Sequence, residues 1–152
     1  MTIAVSEMTP QDYDAVVHLW KQTEGVVLSD ADSPESVASY LRRNPGLSFV
    51  AREEATLVGV VLCGHDGRRG YLHHLAVAAS HRRRGVGSRL VHRCLEGLRA
   101  AGIGKCHIFV FAENRHARAF WHAQGWEKRD ELVLMSAYTG GRSGGAGGPA
   151  DQ

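Results

Sequence analysis

Residues 75–91, LAVAASHRRRGVGSRLV, are the stretch on which the reading of this chain turns. An apolar run, Leu75-Ala76-Val77, leads into a basic turn, His81-Arg82-Arg83-Arg84, and Gly85-Val86-Gly87-Ser88 then opens an amphipathic helix. Glycines at 85 and 87 allow a ligand to approach the backbone closely. The first amides of the helix have no acceptor within it. With the positive end of the helix dipole they form an anion site, to which Arg82, Arg83 and Arg84 add cationic contacts. A pyrophosphate is the natural occupant. Taken alone, the basic run also reads as a solvated turn or a nucleic-acid patch, although no aromatic residue interleaves with the arginines as a stacking surface requires. Two phosphate loops are excluded. Ser88 follows Gly87 with no lysine between them, which rules out the P-loop. Leu90 stands where the dinucleotide fingerprint has its third glycine.

Upstream of this stretch, residues 3–5 predict a short strand. Thr9-Pro10 offers an N-cap and a first-turn proline, and Tyr13, Val16, Val17 and Trp20 mark one apolar face of the helix that follows. Ser33-Pro34-Glu35 starts a second helix with Val37, Tyr40 and Leu41, and Asn44-Pro45-Gly46 ends it. Residues 47–52 and 56–63 are strand-like, the second apolar from Leu57 onward as in a strand covered on both faces. A turn at 65–70 leads to a strand at 71–78.

Downstream, the central helix is expected from about Arg84 to Ala101, with Val86, Leu90, Cys94, Leu98 and Ala101 as its apolar stripe and Gly102 as its stop. A strand at 105–111, a helix at 114–124 and a final strand pair ending near Tyr138 complete the domain, residues 1–138. The remainder, 139–152, reads TGGRSGGAGGPADQ, has no core-forming residue and is expected to be a flexible tail. The order β-α-α-β-β-β-α-β-α-β-β predicts an α/β fold with one mixed sheet and helices on both faces.

Composition narrows the class. The chain has 152 residues, a formal net charge of +2, 43% hydrophobic and 22% charged residues, which describes an ordinary globular domain without the charge a nucleic-acid partner calls for. Cys63, Cys94 and Cys106 are widely spaced and odd in number, so free thiols in a reducing compartment are expected rather than a zinc site or disulfide framework. Met1-Thr2-Ile3 lacks the charged and apolar regions of a signal peptide. No apolar run approaches the ~18 residues that suggest a membrane span, so a cytoplasmic location is expected.

Arg82, Gly85 and Gly87 after an L-A-V strand form R-x-x-G-x-G, which resembles the acetyl-CoA signature of the GNAT N-acetyltransferases. Asn114, Ala117, Phe120, Trp121, Gly125 and Trp126 follow at the family's usual distance and resemble its second motif, N-x-x-A-x-x-[FL]-Y-x-x-x-G-[FW]. The run GHDGRRGYLHHLAV at 64–77 and the early Leu19-Trp20 resemble the bacterial YpeA-like branch. The resemblance implies the GNAT fold, a twisted, mostly antiparallel sheet, and a monomer or homodimer that binds acetyl-CoA and an amine.

By the same resemblance, backbone amides around Arg84, Gly85, Val86, Gly87 and Ser88 wrap the CoA pyrophosphate. Backbone groups from Leu75 through Ala76 to Val77 pair with the pantetheine arm, and the amide near Leu75 polarises the thioester carbonyl. Asn114 contacts the arm, with Ala117, Phe120 and Trp121 as the wall beside it.

A protonated alkyl amine has a pKa near ~10, so transfer needs a base, and histidine suits the task. Strand periodicity sends His73 and His74 to opposite sheet faces and places Tyr71, His73 and Leu75 on one. The arylalkylamine branch has histidines at the positions matching Tyr71 and His73. His73 is therefore the first choice of base and Tyr71 a pocket-wall or water-holding residue, although a core histidine beside a surface one reads equally well. Trp121 departs from the tyrosine that many members have, the acid for the leaving thiolate; either the thiolate leaves without obligatory protonation, or Tyr138 or a water held by His73 takes that role. Another reading is a slow or inactive enzyme, an acyl-CoA-binding module. No metal ligand set is expected. Glu24, Asp30 and Asp32 lie in a polar loop that is either solvated or lines the acceptor pocket. The acceptor is expected to be a small-metabolite or amino-acid-like amine, with a protein N-terminus or lysine as the alternative.

Overall fold

The computed structural model describes residues 2–140. Five strands form one sheet in the order β1-β2-β3-β4-β5: β1 (Ile3–Glu7), β2 (Phe49–Glu53), β3 (Thr56–His65), β4 (Gly70–Val77) and β5 (Cys106–Ile108). The first four pair antiparallel and β4–β5 is parallel. The sheet is therefore mixed and mostly antiparallel, as expected.

Alternation along the strands divides the core in two. Phe49, Ala51, Val61, Cys63 and Leu72 face α3 (Val86–Ala100) and α4 (Arg115–Ala123), meeting Val86, Leu90, Cys94, Leu98 and Trp121. Val50, Val60, Leu62 and Ala76 face α1 (Tyr13–Lys21) and α2 (Pro34–Arg43), meeting Val16, Leu19, Trp20 and Val37. Cys63 and Cys94 are buried and Cys106 is partly so; all three are free thiols.

The helix boundaries follow local chemistry. Pro10–Asp12 forms a 3-10 turn rather than the first turn of α1, with the Thr9 amide donating to the Asp12 carboxylate at 2.8 Å. Ser33 caps α2 by accepting from the Ser36 amide at 3.1 Å.

Both α3 and α4 end in the same motif. In α3 the Ile103 amide donates to Leu98 O and the Gly102 amide to Arg99 O. In α4 the Trp126 amide donates to Trp121 O and the Gly125 amide to His122 O. This is the glycine-terminated Schellman arrangement, which places the residue after the glycine against the last turn. Gly125 supplies the left-handed φ of 88° that the turn requires. Trp126 then packs on Trp121, with ring centroids 4.8 Å apart.

The expected final strand pair does not form among the described residues. The chain after Trp126 has no strand through residue 140. Leu132, Val133, Leu134 and Met135 are 59%, 84%, 64% and 86% exposed. An apolar run makes a strand only where a neighbouring edge and a covered face reward it, and here neither face is covered. Strand β5 is also shorter than the expected 105–111. Of the expected tail, residues 141–152 lie outside those described.

Candidate active site

The site begins where β4 and β5 part. Their parallel pairing covers only Gly70, Leu72 and the residue between, against Cys106–Ile108. From His73 to Val77, β4 continues paired with β3 and has no β5 partner. That leaves half of β4 with an open edge, a place where an extended ligand arm can bond as an added strand does.

At the end of this edge the chain turns through residues 78–85 into α3. Arg83 and Gly85 adopt left-handed φ values of 62° and 78°. Gly85 is the N-cap and no side chain caps the helix, so its first amides keep their donors for an anion. Arg82 Nε donates to Val77 O at 3.2 Å. Arg84 is 3.4 Å from Glu53 Oε2, and His81 Nε2 is 3.0 Å from Glu53 Oε1. The Glu53 carboxyl is held below its usual range, chiefly by the His81 hydrogen bond. Glu53 thus tethers the basic turn to the end of β2.

The second motif closes over the first. A Cβ at Gly87 would stand 3.2 Å from the Phe120 ring, so this glycine lets α4 approach α3. Gln124 Nε2 donates to Ser88 Oγ at 2.9 Å. Asn114 caps α4, its Oδ1 accepting from the Ala117 amide at 3.1 Å. Its other amide atom lies against Gly25, where a Cβ would overlap Nδ2. Asn114 therefore joins α4 to the loop at residues 22–33. Trp121 is only 6% exposed and packs between Phe120 and Trp126; its indole is part of the core.

Strand periodicity fails at His74. Leu62 pairs with His73 and Val60 with Ala76, so His74 and Leu75 together oppose Val61. This two-for-one count is a β-bulge, and His74 takes its left-handed residue, φ 53°. The expectation that the two histidines diverge is therefore corrected. His73 meets Tyr40 of α2, ring centroids 6.2 Å apart, and His74 meets Trp20 of α1 at 5.0 Å. Both lie on the α1/α2 side, while Leu75 and Val77 pack with the α3/α4 core. Tyr71 and His73 therefore do not share a face with Leu75.

The His73 imidazole is held below its ordinary pKa, mainly by burial and also by His74, with Asp32 opposing. Phe109 lies 6.4 Å from His73 and 6.2 Å from Tyr71, and His107 lies 5.7 Å from Tyr71. Tyr40, His107 and Phe109 thus join an aromatic group around His73 that sequence reading did not single out. The period-2 spacing of His107 and Phe109 was its one sequence signal.

The remaining candidates are dispersed. Glu24 and Asp30 are exposed in the loop. Asp32 is buried, its Oδ2 accepting from the Ser29 amide at 3.1 Å and lying 3.1 Å from His74 Nε2. Burial resists its ionisation, but the His74 hydrogen bond and charge and the Ser29 amide outweigh burial and hold its pKa low. Tyr138 is 54% exposed in the strandless stretch. No group of three or more metal-binding side chains occurs among the described residues, and no helix there is long and apolar enough to cross a membrane.

An open strand edge running into an uncapped helix N-terminus, roofed by a second helix, offers room for an extended ligand with an anionic end. The Acetyltransferase (GNAT) family profile matches residues 13–126. An acetyltransferase of Yersinia pestis (strain Pestoides F) is 31% identical over 124 residues, 81% of this chain and 86% of that protein. Among solved structures, the PaiA N-acetyltransferase of Thermoplasma acidophilum in complex with coenzyme A superposes with a TM-score of 0.73 at 18% identity, covering 86% of this chain and 92% of that one. AAC(6')-Iy in complex with a CoA-based bisubstrate analogue does so with 0.73 at 18% identity, covering 91% and 99%. The chain belongs to the GNAT acetyltransferase family. It is an acyl-CoA-dependent N-acetyltransferase, and acetyl-CoA is its cosubstrate.

Proposed function

We propose that the enzyme acetylates a primary amine of a small-metabolite or amino-acid-like acceptor, with His73 as the base. The observation that carries the reading is the half-buried His73 imidazole, its pKa lowered by burial, on the strand whose open edge leads to the α3 N-terminus. In this reading the α3 amides and the basic turn hold the pyrophosphate, and the edge from Leu75 to Val77 receives the pantetheine arm. The Leu75 amide donates to the thioester oxygen as charge builds there; such a donor contributes about 2.7–4 kcal/mol. His73 takes a proton from the acceptor ammonium, directly or through a water, and the free amine so formed attacks the thioester carbon. The CoA thiolate, with a pKa near ~8.5 by analogy with cysteine, leaves without obligatory protonation, and Tyr138 is the candidate acid if one acts.

The same proposal takes residues 1–138 as the domain and 139–152 as its tail. It also places the chain near the YpeA-like branch and in the cytoplasm, where free thiols persist. Glu24 and Asp30 are the acidic loop groups offered to a cationic acceptor.

The test follows thiol release from acetyl-CoA with a panel of amines, polyamines, amino acids and peptides. Turnover of a small amine is expected, falling about 10²–10⁴-fold in His73→Ala. The acid limb of kcat/KM in the wild type should lie below pH ~6.5, because burial depresses the imidazole. Turnover of peptides alone would shift the reading to a protein acceptor. An unchanged His73→Ala rate removes His73 from the mechanism. Trp121, packed into the core where the family motif has tyrosine, favours a second reading as a weak acyl-CoA-binding module. That reading predicts stabilisation by acetyl-CoA with no acceptor consumed.

A further inference from the structure

A histidine in the left-handed region is uncommon and persists where its surroundings hold it. Two contacts converge on His74. Trp20 Nε1 of α1 donates to its carbonyl oxygen at 2.9 Å, and Asp32 Oδ2 lies 3.1 Å from its Nε2. Asp32 is itself fixed: Ser29 donates to its carboxylate, and the Tyr13 hydroxyl donates to its carbonyl oxygen at 2.6 Å. The His74 and Asp32 side chains are 6% and 8% exposed. An apolar pair of similar volume would suit such a site equally well for stability alone. What the polar pair adds is direction, because its hydrogen bond has one geometry.

That geometry links two parts of the site. The bulge shifts β4 by one residue, and a one-residue shift exchanges the faces of every residue beyond it. Leu75 and Val77 reach the α3/α4 side through this shift. Asp32 ends the loop that Gly25 brings against Asn114. The pair thus couples the bulge on β4 to the loop beside α4.

We infer that His74 and Asp32 are positioning residues for acetyl transfer, locking the β4 bulge and residues 22–33 together so that the Leu75 amide and the loop address one reacting centre. The inference rests on the function proposed above for Leu75. Neither residue touches the substrates; each acts through the backbone it holds.

The test uses the full chain and four variants: His74→Ala, His74→Asn, Asp32→Ala and Asp32→Asn. Asparagine tolerates the left-handed backbone but is too short to reach Asp32, so His74→Asn breaks the lock while keeping the turn. A misplacement of about 1 Å costs about 10²-fold. His74→Asn is therefore expected to lower kcat about 10²-fold, with the KM for acetyl-CoA within about twofold of wild type. Amides of residues 22–33 should exchange faster with deuterium while those of β2 and β3 stay protected. Asp32→Asn keeps an oxygen for His74 and should recover most of the rate lost in Asp32→Ala.

Wild-type kcat and loop exchange in folded His74→Asn would overturn the inference. So would faster exchange across the whole sheet with acetyl-CoA binding lost in step, since that marks general destabilisation. If the wild type binds acetyl-CoA and acetylates no amine, the proposed function fails by itself. The loop exchange of His74→Asn then decides the lock, a protected loop refuting it and an opened one supporting it.

Discussion

Substituting Gly25 by alanine tests whether the loop at residues 22–33 and α4 are joined as described. The backbone at Gly25 has φ 88°, a conformation that costs an L-residue about 1–2 kcal/mol. The new methyl would also overlap Asn114 Nδ2. The Asn114 side chain cannot yield freely, because its Oδ1 accepts from the Ala117 amide at the start of α4. Turning it away removes a cap that contributes about 0.5–2 kcal/mol. Together these give a loss of about 2–3 kcal/mol, or roughly 5–10 °C in Tm for a chain of this length. Urea unfolding followed by circular dichroism would measure it in wild type, Gly25→Ala, Asn114→Ala and the double variant. With Asn114 already truncated, Gly25→Ala should cost only the backbone strain, so the cycle should show a coupling of about 1 kcal/mol. Additivity within about 0.3 kcal/mol would refute the contact, and with it the claim that Asn114 connects the loop to α4.

Two further outcomes follow from the core and from Asp32. Leu90, fully buried where α3 meets the sheet, should cost about 2–5 kcal/mol when cut to alanine, read from the urea midpoint; a loss below about 1 kcal/mol would place it outside the core. Asp32 has a folded pKa below its ordinary 3.8, so its stabilisation is present above that value and lost as pH falls through the folded one. Wild type should therefore lose stability more steeply than Asp32→Asn as pH drops below 3.8, and parallel curves would show that Asp32 gains nothing by ionising.

Much of the fold was legible because its signals are local. Ser33-Pro34 marks the start of α2 through a side-chain acceptor and a fixed φ, both visible in two adjacent residues. Gly102 and Gly125 mark helix ends because the Schellman turn needs a left-handed residue at one position. The second motif acquires a physical meaning here: its glycine closes α4 and its final aromatic packs back on Trp121. The start of α3 was legible for the same reason, since an uncapped helix start at a glycine needs no distant partner to be recognised.

The exposed run Leu132–Met135 shows where such reading stops, because an apolar run says nothing about whether an edge is there to receive it. The aromatic group of Tyr40, Tyr71, His73 and Phe109 draws on α2, β4 and the residue just after β5, which only the folded chain brings together. His74 is the sharpest case. Two adjacent histidines on a strand were expected on opposite faces, and the side chains of Trp20 and Asp32, 54 and 42 residues earlier, are what hold the bulge that puts them on one. The sequence by itself determined the family and the order of elements through α4, since these rest on propensities and spacings within a few residues. Tertiary structure decided which way the strand before α3 faces, because a β-bulge is a property of paired strands and of the distant groups that bond to it.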